Sequence, residues 1–219
     1  MEKTKLRGKG ILLDLDGTIV DSRRAYLEAV KAALAATGQK TLAISIVTEI
    51  PKRIEQNLPI DDMLEGIDAQ KFLQVYLNAY YEATMEKAKP LPNISETLEK
   101  LSHKAKLALI TMRHVPRGKI IEELEKLDLA KYFQNIVTAL DTRYPKPSPE
   151  PLLKCASKMA IQISDCLIVG DSVADVRAGK SAGATTVGVL SGIFSRKELE
   201  REKPDLILES VNILPDFLE

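Results

Sequence analysis

The chain has 219 residues, of which 45% are apolar and 28% are charged, and its 31 Lys plus Arg balance 31 Asp plus Glu. At about 150 residues per domain, this length predicts one compact domain with a smaller one attached. Proteins that bind nucleic acids or anionic membranes meet them with an excess of Lys and Arg, so the zero net charge gives no electrostatic reason to expect either as the main partner.

Targeting signals and disulfides are not expected. The basic residues before position 10 are interpreted as a solvated end, because Asp14 and Asp16 interrupt the apolar stretch that follows and no cleavage site is present. No apolar run approaches the ~20 residues that cross a bilayer. Cys155 and Cys166 have the spacing of neither a disulfide scaffold nor a zinc site. We therefore expect a cytoplasmic protein.

Short apolar runs recur along the chain and are separated by longer segments with helical spacing. The runs predict buried strands at residues 11–16, 107–111, 136–140, 167–171, 185–189 and 206–208. Their apolarity is continuous rather than alternating, which is typical of parallel strands covered on both faces. The strand-helix order predicts an α/β fold with a doubly wound, Rossmann-like parallel sheet.

Several helices have recognisable starts. Asn93 with Glu96 has the spacing of a helix cap, and Ser195 with Glu198 has that of a capping box. Ser148-Pro149-Glu150 places Pro at the first helical position.

The segment from residue 22 to residue 90 contains no convincing buried strand. An apolar stripe with helical spacing runs through Phe72, Val75, Tyr76, Ala79, Tyr80 and Ala83. We interpret it as the core of a small helical bundle rather than an aromatic binding platform. The sequence thus predicts an α/β core at 1–21 and 91–219, with a small helical cap domain at 22–90 inserted after the first strand.

Polar groups follow four of the predicted strands. The carboxyl ends of parallel strands share one edge, and ligands bind there where the strand order reverses. The residues expected at this edge are Asp14, Asp16, Thr111, Lys146, Asp171 and Asp175. Crowded carboxylates predict a hard divalent cation, and Mg²⁺ suits a site that also holds a substrate phosphate. The set is suited to phosphoryl transfer, in which one carboxylate attacks phosphorus and its neighbour moves protons.

Each of these signals has an ordinary structural explanation when it stands alone. An aspartate pair in a loop is usually a turn or cap device, Gly170-Asp171 commonly begins a turn, and Lys146 alone is a solvated lysine. Their joint occurrence after predicted strands favours chemistry.

The same residues resemble the four motifs of the haloacid dehalogenase superfamily, in order along the chain. The matching motifs are Asp14-Leu15-Asp16-Gly17-Thr18, Thr111, Lys146-Pro147 and Gly170-Asp171-Ser172-Val173-Ala174-Asp175. The segment at 22–90 lies where that family has its helical cap, and the chain looks most like the phosphoglycolate phosphatase-like and β-phosphoglucomutase-like members. Dehalogenase members lack the second acid of the first motif, so Asp16 indicates phosphate chemistry.

The resemblance implies roles for individual residues. Asp14 would be the nucleophile and a Mg²⁺ ligand. Asp16 would protonate the leaving oxygen and then activate water, while its backbone carbonyl touches the metal. Thr111 and Lys146 would bind the phosphoryl group, with Lys146 also paired to Asp14. Asp171 would bind Mg²⁺, and Asp175 would be a second ligand or would support one.

Two stretches depart from the family pattern. Met112-Arg113-His114 follows Thr111 where relatives often carry a small or amide residue, so phosphate contacts at Met112 must come from its backbone. Arg113 and His114 either meet substrate or cover the loop. In the cap, Arg53 of Pro51-Lys52-Arg53 is a candidate contact for an acidic substrate, and the alternative is a solvated helix start.

The sequence predicts a Mg²⁺-dependent phosphatase that acts on a small phosphate ester through an aspartyl phosphate, as a monomer or homodimer. The first candidate substrate is 2-phosphoglycolate. One alternative is a sugar phosphomutase of the β-phosphoglucomutase type. Alternatives of another class are a phospho-receiver module, which the motif order disfavours, and a binding protein without activity, which the intact acids disfavour.

Overall fold

The computed structural model describes residues 5–38, 44–87 and 89–219, with the backbone alone at 44–47 and 85–87. The chain forms two compact units, Met1–Val20 with Pro90–Glu219, and Asp21–Lys89. Among the described residues, no helix is both long enough and apolar enough to cross a membrane.

The first unit is built on a six-stranded parallel sheet with the order β3-β2-β1-β4-β5-β6. The strands are β1 (Gly10–Leu13), β2 (Lys106–Ile110), β3 (Phe133–Val137), β4 (Cys166–Gly170), β5 (Thr185–Val189) and β6 (Leu206–Leu208). The chain order reverses beside β1, which places a ligand-binding edge there. The predicted doubly wound α/β fold is confirmed.

The described α-helices follow in chain order. They are α1 (Arg23–Ala36), α2 (Ile44–Glu55), α3 (Ala69–Lys87), α4 (Ile94–Ser102), α5 (Arg117–Lys126), α6 (Glu150–Lys158), α7 (Val173–Ala182) and α8 (Arg196–Arg201). The first three belong to the second unit, and the others belong to the sheet unit.

Two apolar cores cover the two faces of the sheet, which explains why the strands are continuously apolar. Successive side chains of a strand point to opposite faces. Ile11 and Leu13 of β1 therefore pack into one core, while Leu12 packs into the other. All three are at most 1% exposed.

The helical unit has an aromatic centre. Phe72, Tyr76 and Tyr80 of α3 are buried, and the Tyr80 ring stacks on Tyr26 of α1 with 4.9 Å between centroids. The interpretation of this stripe as the core of a helical bundle is confirmed. Pro51 lies inside α2, and Lys52 and Arg53 form its last turn, so the alternative of a helix start at Pro51 was wrong.

Local predictions had mixed outcomes. Ser195 and Glu198 form the expected capping box at α8. The helix predicted after Asn93 is present as α4, but Asn93 makes no side-chain cap because its backbone is left-handed, with φ of 61°, so the capping part of the prediction was wrong. The third strand lies at Phe133–Val137 rather than 136–140, because Ala139–Asp141 forms a 3₁₀ turn closed by Thr138 and Asp141.

Candidate active site

The polar residues that follow β1, β2 and β4 meet at one edge of the sheet because these strands end at the same level. Leu13 of β1 lies opposite Leu109 of β2 and Val169 of β4. The next residue, Asp14, continues the ladder by donating its backbone N–H to the Val169 carbonyl at 2.9 Å. Asp14 thereby enters the edge between the residues that end β2 and β4.

Lys146 lies at the centre of the cluster and is 2% exposed. Its Nζ donates to Asp14 Oδ1 at 2.6 Å, to Asp175 Oδ1 at 2.5 Å and to the Ile110 carbonyl at 3.2 Å. An ammonium has three donors, so these contacts use all of them. Burial by itself lowers the pKa of Lys146, but the Asp14 and Asp175 carboxylates outweigh that effect and raise it.

Asp171 joins the two carboxylates that pair with this ammonium to form a cluster of three. One oxygen of each of Asp14, Asp171 and Asp175 lies within 4.8 Å of the others, and all three residues are buried. Burial is the largest influence on Asp14 and raises its pKa to about 7, although Lys146 opposes the change. Within this cluster, one ammonium cannot balance three ionised carboxylates, so the edge favours a cation with oxygen ligands.

The Asp171 carboxylate is enclosed by glycines of two loops. A Cβ on Gly192 would lie 1.6 Å from Asp171 Oδ2, and one on Gly17 would lie 2.6 Å from it. Ile193 N donates to the same oxygen at 3.4 Å, and Ser191 Oγ donates to the Gly17 carbonyl at 2.6 Å. The sequence interpretation missed the loop after β5, although a glycine shortly after a strand was a usable signal.

Asp175 is fixed by the capping box in the first turn of α7. Its Oδ2 accepts from Ser172 Oγ at 2.6 Å and from Ser172 N at 3.2 Å, while its own N–H donates to Ser172 Oγ at 3.2 Å. Its other oxygen accepts from Lys146. With both oxygens engaged, Asp175 is better placed to support the site than to act as a principal metal ligand.

The Asp16 carboxylate is not one of the three that form this cluster. Both of its oxygens accept from Arg113, Oδ2 from Nε and Oδ1 from Nη2, each at 2.7 Å. The third guanidinium nitrogen of Arg113 donates to Glu123 Oε2 at 2.5 Å. Arg113 is 3% exposed and is bound between Asp16 and Glu123 instead of covering the loop as an exposed side chain, and its contact with substrate stays a prediction.

Glu123 closes this buried arrangement from α5. Burial raises the pKa of its carboxyl despite Arg113, and among the described residues its Oε1 has no hydrogen-bond partner. No motif indicated this residue, since a glutamate within a polar helix is normally exposed.

The remaining predicted residues have defined surroundings. Thr111 is buried and its Oγ1 accepts from Arg113 N at 3.2 Å. Met112 is half-buried and His114 is exposed. Arg53 belongs to the helical unit, where Nη1 donates to Asp62 Oδ1 at 2.5 Å and to the Pro59 carbonyl at 3.1 Å.

Comparison with known proteins agrees with this geometry. Residues 11–189 match the family of haloacid dehalogenase-like hydrolases. Phosphoglycolate phosphatase of Escherichia coli (strain K12) is 31% identical, over 94% of this chain and 90% of that protein. The solved structure of a hydrolase from Pseudomonas syringae is 30% identical with a TM-score of 0.76, over 95% of this chain and 97% of that one.

A second solved structure, a haloacid dehalogenase-like family hydrolase from Streptococcus pneumoniae, matches the fold with a TM-score of 0.79 at 18% identity, over 95% of this chain and 97% of that one. The predicted family, fold class and hydrolytic enzyme class are confirmed. This chain belongs to the family of haloacid dehalogenase-like hydrolases.

Proposed function

We propose that this hydrolase is a Mg²⁺-dependent phosphatase for a small phosphate ester, with 2-phosphoglycolate as the first candidate. The observation that carries the proposal is the buried cluster of Asp14, Asp171 and Asp175, in which Asp14 and Asp175 are bound to the ammonium of Lys146. The phosphatase class and the substrate are supported by the phosphoglycolate phosphatases that are 31% identical to this chain.

The donor set fits Mg²⁺. It consists of hard carboxylate oxygens with more negative charge than Lys146 neutralises, which is the environment that this cation prefers. Asp14 and Asp171 would hold it with their carboxylates and Asp16 with its backbone carbonyl, while Asp175 supports them. The bound ion would supply charge neutralisation for the phosphoryl group.

The residues of the chain divide the work of phosphoryl transfer. Asp14 attacks phosphorus, and the bond to the ester oxygen breaks as Asp16 gives that oxygen a proton. Asp16 then takes a proton from water, which attacks the aspartyl phosphate and regenerates Asp14 with release of inorganic phosphate. Thr111 and the Met112 backbone bind phosphoryl oxygens, and Lys146 binds one by exchanging one of its three present contacts for it.

The proposal includes the helical unit as a cap that shields the reaction from water. Arg53 is the proposed contact for the carboxylate of an acidic substrate, and it would exchange its bond to Asp62 for that contact. We place the enzyme in the cytoplasm, acting as a monomer or homodimer without nucleic-acid or membrane partners; the balanced charge supports the last point.

The test is a screen of phosphate esters with wild type and Asp14→Asn, which keeps the size of the side chain but removes the nucleophile. With Mg²⁺, wild type should release phosphate from 2-phosphoglycolate, and the variant should be slower by at least about 10³-fold. EDTA should abolish the wild-type rate. Equal rates for the two proteins, or no effect of EDTA, would refute the mechanism.

The same screen includes β-glucose 1-phosphate as the probe for a mutase. Formation of glucose 6-phosphate without release of phosphate would replace the proposed hydrolysis with phosphoryl transfer between sugar hydroxyls. Asp128→Asn is the control for Asp14→Asn in this screen, because it makes the same substitution at an exposed acid. Among the described residues, the ion-pair partner of the Asp128 side chain is Lys131.

A further inference from the structure

The contact between Arg113 and Asp16 joins residues that are 97 positions apart and is almost completely buried. The side chains are 2% and 9% exposed, respectively. Two parallel hydrogen bonds of 2.7 Å make a bidentate pair, the strongest and most directional arrangement between these groups. A lysine, with a single ammonium, cannot reproduce it.

Arg113 is itself held in place. Nη1 is bound to Glu123 on α5 at 2.5 Å. The backbone N–H of Arg113 donates to Thr111 Oγ1 at 3.2 Å, and the Arg113 carbonyl accepts from Ala139 N at 3.2 Å. The guanidinium therefore has a fixed position between two carboxylates, and the backbone that carries it is tied to the loops after β2 and β3.

A fixed guanidinium determines the orientation of the Asp16 carboxylate. A carboxylate has about four lone-pair positions, and the bidentate pair uses two of them, so it fixes the direction in which the other two point. Proton transfer requires a group within hydrogen-bond reach and correctly aimed. Orientation of the proton carrier is therefore a catalytic requirement that Arg113 is placed to meet.

We infer that Arg113, anchored by Glu123, is a positioning residue that orients Asp16 for proton transfer to the leaving oxygen. The inference rests on the proposed function, in which Asp16 is the acid and base. Arg113 contacts neither the phosphoryl group nor the leaving group in this assignment and acts through Asp16.

The test uses two esters that differ in their need for a proton. An alkyl ester such as 2-phosphoglycolate has a poor leaving oxygen that must be protonated, whereas the nitrophenolate of p-nitrophenyl phosphate leaves without a proton. The quantity compared is kcat/KM, because it covers the steps up to cleavage of the ester bond and omits the hydrolysis of the phosphoenzyme.

Arg113→Lys keeps the charge but removes the bidentate pair. We expect kcat/KM for 2-phosphoglycolate to fall by at least about tenfold, part of the 10²–10⁴ that acid catalysis typically supplies, while the value for p-nitrophenyl phosphate stays within about threefold. Glu123→Gln weakens the contact that anchors Arg113. It should also lower kcat/KM more for 2-phosphoglycolate than for p-nitrophenyl phosphate, by a smaller factor than Arg113→Lys. It provides the comparison if the lysine variant does not fold.

Arg117→Lys is the matched control. Arg117 begins α5, the helix that carries Glu123, and pairs with Asp141 at 2.8 Å on the half-exposed surface. It should leave both esters unchanged. An equal fall on both esters in Arg113→Lys and Glu123→Gln, or no fall on either, would overturn the positioning role while wild type remains an active phosphatase. A wild type that cleaves neither ester would overturn the proposed function and this inference with it.

Discussion

At the residue scale, Gly192 is a position where the site has no room for a side chain. A Cβ there would lie 1.6 Å from Asp171 Oδ2, a distance that real Cβ contacts do not show. Gly192→Ala must therefore displace either the Asp171 carboxylate or the loop that covers it. We expect the Mg²⁺ concentration for half-maximal activity to rise by about tenfold or more, the range found when groups that orient metal ligands are disturbed.

The control for this change is Gly118→Ala in α5, where an added Cβ meets no atom within 4 Å. Alanine at an open helix position should raise the free energy of unfolding by about 0.5–1 kcal/mol and leave the Mg²⁺ dependence alone. A titration of activity against Mg²⁺, with urea unfolding of both variants, gives the comparison. An unchanged Mg²⁺ requirement in Gly192→Ala would show that the added methyl group displaces the loop and leaves the Asp171 carboxylate in place.

At the scale of elements, the same capping box begins two helices in different surroundings. Ser172 and Asp175 form it at α7 beside Lys146, while Ser195 and Glu198 form it on the surface at α8. Removing either hydroxyl should lower the free energy of unfolding by about 1 kcal/mol. Only Ser172→Ala also removes a hydrogen bond from an acid of the site.

We therefore expect Ser172→Ala and Ser195→Ala to lose similar stability in urea unfolding but to differ in turnover. Ser172→Ala should lower kcat severalfold, up to about tenfold, because within the described part of the chain the Asp175 carboxylate then keeps only Ser172 N and Lys146 as partners. Ser195→Ala should keep the wild-type kcat. Parallel losses of kcat in the two variants would mean that the effect comes from stability rather than from Asp175.

The elements that the sequence predicted are those whose signals are local. Continuous apolar runs predicted the strands, and acids at the ends of these runs or shortly after them predicted Asp14, Asp171 and Asp175 at one edge, because the ends of parallel strands meet there whatever the details of packing. The Asn93 cap failed because a side-chain pattern does not report a left-handed backbone. The third strand was shifted because apolar residues also occur in the 3₁₀ turn that follows it.

The contacts of Arg113 with Asp16 and Glu123 escaped sequence analysis for a different reason. The first spans 97 positions of the chain, and the second depends on which face of α5 is buried. Charged residues are almost never fully buried unless paired, so the burial of Arg113 and Glu123 cannot be predicted while their partners are unknown. Only the folded structure shows that Asp16 and Glu123 both bind the Arg113 guanidinium.

At the scale of the whole molecule, a chain of zero net charge concentrates unbalanced negative charge in its interior. In the absence of a metal, burial raises the pKa of Asp14 from 3.8 to about 7. A carboxyl with a higher pKa in the folded protein than in the unfolded chain holds its proton more tightly when folded. Its contribution to stability is therefore complete below about pH 4 and is lost as the pH rises through about 7.

Mg²⁺ and the proton should then compete for Asp14, since a carboxylate ligand must be ionised. The rise in Tm on adding Mg²⁺ should be small at about pH 5, where Asp14 holds its proton. It should be larger at about pH 8, where Asp14 has lost the proton and the cation binds without competition. Asp14→Asn has no proton to lose and should show a weaker pH dependence of the Mg²⁺ shift. Thermal unfolding at the two pH values, with and without Mg²⁺, measures the difference. If Mg²⁺ raised the Tm of wild type equally at both pH values, its binding would not depend on ionisation of Asp14. That result would contradict the assignment of this carboxylate as a metal ligand.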